Sequence, residues 1–182
     1  MLNFNIKPVK KDFIDIAWKR LDSLTKPPKS LGRLEEIAAR LVAIYENPMP
    51  EIKKKAVLVF ASDHGVTEEG VSAYPKEVTS QMVFNFLRGG AGINVLARHV
   101  GADVLIVDVG VDYEFGQVEG LISKKIVKGA GNIAKVSALS RDDAIKCLEI
   151  GIELVKQYHC KGYNLFATGE MGIGNTTPSS AV

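Results

Sequence analysis

Three glycines, an acid, an amide and two threonines fall within the nine residues Gly169–Thr177, GEMGIGNTT. Such a stretch suits an anion. Glycine at positions 169, 172 and 174 lets backbone N–H groups approach a ligand closely, because no Cβ stands in the way. Asn175, Thr176 and Thr177 add side-chain donors. With Pro178 in the first turn of a following helix, the helix start offers further N–H groups and the positive end of its dipole. A phosphate fits that geometry. The stretch carries neither the Gly-Lys-Ser/Thr of a Walker A loop nor a GxGxxG fingerprint. A tight turn with a helix cap therefore stands as the alternative reading.

A second polar stretch, SDHGVTEEGVSAYP, runs from Ser62 to Pro75 and holds Asp63, His64, Glu68 and Glu69. Asp-His after a strand suits a metal ligand or a general base. The spacing matches no zinc motif, and His99 and His159 sit in helical contexts, so a hydrogen-bonded structural role is the favoured reading of His64. Gln81 lies beside Val78, Met82 and Phe84, where an amide can line a pocket for a flat heterocycle or simply be exposed. Asp108 and Asp112 follow an apolar run. A carboxylate at a strand end binds a ribose hydroxyl or caps the loop backbone. Cys147 and Cys160 form no CxxC and read as free thiols of a reducing compartment.

These residues need a scaffold. Ala56–Ser62 and Asp103–Val111 are short continuous apolar runs, the pattern of strands buried on both faces; Tyr163–Gly169 reads as the last strand, and Leu121–Val127 as a weaker further one. Helical spacing marks Asp12–Leu24, with Phe13, Ile16, Ala17, Leu21 and Leu24 on one face. It also marks Leu31–Tyr45, with Leu34, Ile37, Ala38, Leu41 and Tyr45 together. Pro27 and Pro28 separate the two. Further helices are expected over Lys76–Leu87, from Ala91 to Val100, and from Ser140 to Tyr158, the last opened by Ser140 and Asp143 at capping-box spacing. Alternating buried strands and helices predict an α/β domain, a Rossmann-like open and mainly parallel sheet with flanking helices over residues 51–182. Residues 1–50 form an N-terminal helical arm belonging to a smaller lobe. In such sheets ligands bind beyond the carboxyl ends of the strands. Loops starting at Asp63, Gly110 and Gly169 leave those ends, as a shared site requires.

Composition narrows the function classes. The 182 residues are 46% hydrophobic and 24% charged, with a formal net charge of +2. No block of like charge supports a nucleic-acid partner. No apolar run approaches the roughly 18 residues of a membrane span. The N-terminus lacks the apolar core of a signal peptide, and a cytoplasmic location is expected.

Five stretches together resemble a known family: LTKPPKSLGRLE, ASDHGVTEEGVSAYP, EVTSQMVFNFLRGGAGINVLAR, VDVGV and GEMGIGNTTPSSA, in family order from Leu24 to the end. The chain is similar to nicotinate-nucleotide–dimethylbenzimidazole phosphoribosyltransferases over their N-terminal half. The resemblance implies that nicotinate mononucleotide and 5,6-dimethylbenzimidazole react to α-ribazole 5′-phosphate and nicotinate, the activation of the lower ligand of cobalamin. It implies no metal and no cofactor, and a homodimer. It places the nucleotide phosphate on Gly172, Gly174, Asn175, Thr176 and Thr177. Glu170 falls beside the ribose and the reacting centre, and Ser72, Tyr74 and Gln81 line the benzimidazole pocket. Family members are longer, and their general base and a lysine near the phosphate lie outside the segments matched here. By that resemblance the 182 residues alone are expected to be inactive, and a non-catalytic nucleotide-phosphate-binding module is the second reading. A dehydrogenase is disfavoured by the missing GxGxxG.

Overall fold

The computed structural model describes residues 5–182. The chain divides into two compact units, one ending at Ile52 and one over Lys53–Val182. The second is an α/β unit. Its strands are β1 (Lys54–Ser62), β2 (Ala102–Gly110), β3 (Leu121–Ser123) and β4 (Tyr163–Met171), all parallel in the order β3-β2-β1-β4. In the helical unit lie α1 (Lys11–Asp22) and α2 (Arg33–Tyr45). The α/β unit carries α3 (Val78–Leu87), α4 (Gly92–Val100), α5 (Arg141–Cys160), α6 (Thr176–Ala181) and a short 3₁₀ helix, Gly65–Glu69. No described helix is long and apolar enough to cross a membrane.

The position of β1 explains its sequence. It lies between β2 and β4 and is covered on both faces. Val57, Val59 and Ala61 pack with Val83, Phe86, Ala91 and Ile106, whereas Leu58 packs with Val107, Ile150 and Leu154. Successive side chains thus enter different cores, and a strand without a polar face results. The same alternation puts Ile106 and Val107 of β2 into the two cores. The α5 start follows its expected cap, with Ser140 Oγ accepting the Asp143 N–H at 3.1 Å.

Several boundaries shift by one or two residues from the sequence reading, and three differences bear on the loops. The expected strand over Leu121–Val127 is cut to three residues. Beyond Ser123 the backbone still donates to β2, from Lys124 to the Asp108 carbonyl and from Ile126 to the Val109 carbonyl, but the ladder is irregular. β4 runs two residues further than expected, so Glu170 and Met171 belong to the strand and the loop begins at Gly172. Residues 65–69, expected as loop, wind into the 3₁₀ helix.

In the helical unit α1 and α2 pack through Ala17, Ala39 and Val42, with Phe13, Ile14, Trp18 and Leu21 around them. The buried face of α2 is not the predicted one. Leu34 and Ile37 are exposed, whereas Glu35, Ala39, Val42 and Ala43 are buried. An ion pair brings the acid inside. Lys26 Nζ lies 2.8 Å from Glu35 Oε1, which also accepts the Leu31 N–H at 3.0 Å. The Lys26 bond holds the Glu35 carboxyl below its usual pKa, against the opposing effect of burial. A depressed carboxylate pKa stabilises the fold above the ordinary carboxylate range and loses that contribution as the pH falls through the depressed value. Trp18 is the only tryptophan and reports this unit. Glu35→Gln should lower the midpoint of unfolding followed by Trp18 emission at neutral pH and flatten its acid-side dependence. An unchanged midpoint would mean that the pair contributes nothing.

Beside α5, an apolar groove of about 930 Å³ is lined by Phe60, Val109, Leu148, Ile152 and Val155 among others. Next to it, β4 is the free edge of the sheet, with Leu165 40% exposed. Open apolar surface and an unpaired strand edge both promote association. Sedimentation of the 182-residue chain at micromolar concentration should show species larger than a monomer. A dye for apolar surface should bind it. A compact monomer with little dye binding contradicts this.

Candidate anion-binding site

β1 and β4 are hydrogen-bonded neighbours, so the segments that leave their carboxyl ends emerge side by side. They are in contact at once. A Cβ added to Gly172 would stand 2.2 Å from the Ser62 carbonyl oxygen, 2.7 Å from His64 Nε2 and 2.8 Å from His64 Cδ2. Only glycine fits there. Gly174 has φ +78°, a left-handed conformation that glycine adopts without strain, and faces Thr67 and Val71 of the neighbouring segment. Residues 62–71 thus mould the turn at 172–174.

Hydrogen bonds fix the turn further. The Ile173 N–H donates to Thr79 Oγ1 of α3 at 3.1 Å, the Asn175 N–H to the Gly172 carbonyl at 3.1 Å, and the Thr177 N–H to the Gly174 carbonyl at 3.1 Å. Among the described residues the N–H groups of Gly174 and Thr176 find no acceptor. α6 starts at Thr176, with Pro178 in its first turn as expected and no side-chain cap from Asn175.

Two cavities flank the turn. One, of about 290 Å³, is lined by Val71, Ser72, Gly172, Gly174, Asn175 and Thr176. The other, of about 260 Å³, is lined by Phe60, Ser62, His64, Met171 and Ser179 among others. Glu170 borders both, and among the described residues no lysine or arginine lines either. Glu170 stands at an open position, yet surrounding protein raises its pKa by desolvation. The half-buried His64 is shifted the other way. Burial lowers its pKa, the Asp63 carboxylate opposes this, and the balance favours the neutral ring. No hydrogen bond to its imidazole is found among the described residues, contrary to the hydrogen-bonded role expected from sequence.

The remaining candidates fall in several places. Ser72 joins the loop in the larger of the two cavities, and its Oγ accepts the Tyr74 N–H. Tyr74 and Gln81 are exposed and line neither cavity, and Thr177 lines neither. Asp108 caps the backbone, with its buried Oδ1 accepting the Gly110 and Val111 N–H groups. Asp63 Oδ2 accepts the Asp112 N–H, and the Asp112 side chain pairs with Lys76 at 3.0 Å. These acids bind the Asp63 and Gly110 loops to each other. Glu68 and Glu69 pair with Lys135, away from the turn. Among the described residues no group of three His, Cys, Asp or Glu side chains could hold a metal ion. Thr79 is the residue that sequence reasoning missed. A fully buried hydroxyl in a helix was its only signal, and burial is not legible in the chain.

The comparisons with known proteins agree on one family. A model described as phosphoribosyltransferase matches residues 6–182. A relative in Geobacter sulfurreducens, a nicotinate-nucleotide–dimethylbenzimidazole phosphoribosyltransferase, is 58% identical over 97% of this chain and 50% of its own length. One of the same name in Acetivibrio thermocellus is 49% identical over 94% of this chain and 49% of its own. A solved structure of the Thermus thermophilus enzyme of that name superposes with TM-score 0.90 at 46% identity, covering 93% of this chain and 52% of that one. The chain spans about half the length of the relatives it matches. With the parallel sheet and the glycine turn at its carboxyl edge, the match over residues 6–182 makes the chain a member of the nicotinate-nucleotide–dimethylbenzimidazole phosphoribosyltransferase family.

Proposed function

We propose that the chain supplies the nucleotide-phosphate half of an enzyme that transfers the phosphoribosyl group of nicotinate mononucleotide to 5,6-dimethylbenzimidazole. One observation carries this reading. A turn wedged against β1 leaves the N–H groups of Gly174 and Thr176 without acceptors beside a cavity of about 290 Å³. A backbone N–H is a strong donor that must find an acceptor in the protein, in water or in a ligand, and a phosphate supplies both acceptors here. Gly172, Gly174, Asn175 and Thr176 line that cavity, and Thr177 ties the turn to α6.

Glu170, on the border of both cavities, then lies next to the ribose. In the reaction a nitrogen of the benzimidazole forms a bond to C1′ while the bond from C1′ to the pyridinium nitrogen breaks. Nicotinate keeps that electron pair, the configuration inverts, and the proton of the new azolium goes to a base. Positive charge builds on the ribosyl group as the bonds exchange, and the negative Glu170 carboxylate stabilises it. The pyridinium is already a cationic leaving group, so its departure needs no protonation. Ser72, Tyr74 and Gln81 are proposed for the benzimidazole. Ser72 joins that role to the phosphate cavity, and Gln81 stands two residues beyond Thr79 on α3. A cytoplasmic homodimer without a cofactor completes the proposal.

Binding is the first readout. Hydrogen bonds to a charged group contribute about 1.5–3 kcal/mol each. By calorimetry, nicotinate mononucleotide should bind the chain at least about tenfold more tightly than its dephosphorylated riboside. Equal affinities would refute the phosphate assignment. In a turnover-competent form of the protein, Glu170→Gln should lower kcat by about 10²-fold, with a smaller change in KM, as expected for a group that acts on charge in the transition state. A rise in KM with kcat intact would assign Glu170 to ground-state binding instead.

A further inference from the structure

We propose that His64 is the positioning residue of the anion turn: its imidazole is a fixed wedge that holds Gly172 so that the Gly174 and Thr176 N–H groups face the phosphate. The inference rests on the phosphate reading above and adds a residue to it.

The wedge is rigid at its base. The Asp63 N–H donates to the Gly110 carbonyl at 3.0 Å, the Ala130 N–H to the Asp63 carbonyl at 2.8 Å, and the Gly65 N–H to the Ala130 carbonyl at 2.8 Å. Thr67 Oγ1 donates to the His64 carbonyl at 2.9 Å. Gly65 is pressed so closely on residues 130–132 that a Cβ would lie 2.6 Å from the Asn132 nitrogen. The backbone on both sides of His64 therefore has little room to shift. Its ring edge, Nε2 and Cδ2, meets Gly172, where a Cβ would collide with the ring as well as with the Ser62 carbonyl.

Nothing else accounts for the imidazole. Among the described residues it has no hydrogen-bond partner, and it lines the smaller cavity together with Glu170 and Asn175. From Gly172 the chain reaches Gly174 in two residues, with Ile173 tethered to Thr79 between them. A shift of Gly172 into a void left by the ring would turn the two free N–H groups away from the cavity. Glutamine carries its amide to where Nε2 lies, whereas asparagine reaches only as far as Nδ1. The two substitutions therefore separate the wedge from mere polarity.

The test is calorimetry of nicotinate mononucleotide and its riboside with the wild-type chain and with His64→Ala, His64→Gln and His64→Asn. Thermal unfolding serves as the folding control. In the wild type the phosphate should strengthen binding. His64→Ala should cut the nucleotide-to-riboside affinity ratio at least about fivefold, the scale of one weakened hydrogen bond to a charged group. The riboside affinity should fall by less than the nucleotide affinity. His64→Gln should restore most of the ratio and His64→Asn should not. If His64→Ala fails to fold, the difference between Gln and Asn still decides. A full ratio in His64→Ala overturns the wedge and leaves the phosphate reading intact. An equal loss for both ligands, or failure of Gln to restore the ratio, overturns it too by making the ring merely structural. A wild type without phosphate preference removes the phosphate reading itself.

Discussion

The approach of Gly172 to the end of β1 is the constraint on which the site depends. Two parallel neighbours in a sheet, β1 and β4, end at nearly the same level, and their following segments must share the space above the sheet. Only a residue without a Cβ fits against the Ser62 carbonyl and the His64 ring. Once that contact is made, the geometry of the turn follows. Gly174 takes its left-handed conformation, Ile173 ties to Thr79, and α6 begins at Thr176. The glycines therefore serve two needs. One lets the chain pass close to its neighbour, and another lets it turn sharply enough to leave N–H groups free.

The electrostatics of the site are set by what surrounds it. Among the described residues no lysine or arginine lines either cavity, and Glu170 borders both. Backbone N–H groups carry no net charge, so unpaired ones can stand beside a carboxylate without adding a cation to the site. Burial acts on the two titratable groups in opposite senses. It raises the Glu170 pKa and lowers that of His64, favouring the neutral form of each. Away from the turn, the acids of the Asp63 and Gly110 loops are occupied with backbone and lysine partners. They hold the loops in place rather than facing a ligand.

Much of this was legible in the chain. Apolar runs located the strands, and the lack of alternation in β1 and β2 required cover on both faces, because their central apolar side chains enter one core or the other. Gly172, Gly174, Asn175 and Thr176 marked a glycine turn through residue type, but residue type left an anion site and a plain turn with a helix cap both open. Asp63 and Asp108 were ambiguous for a physical reason. A carboxylate at a strand end serves a ligand or its own backbone equally well, and only the positions of the neighbouring N–H groups decide.

The sequence by itself determined the period of burial, the breaks and the turn chemistry, because these are local properties of a few consecutive residues. It could not determine which stripe of α2 is covered, since the Lys26–Glu35 pair draws an acid inward and leaves Leu34 and Ile37 outside. Nor could it place His64 against Gly172, or Thr79 beneath Ile173. Those pairs are far apart in the chain, and only the side-by-side placement of β1 and β4, with α3 beside them, brings them together. The tertiary structure made a hydroxyl and an imidazole part of the site because contact between distant segments depends on topology and packing, which no local pattern encodes.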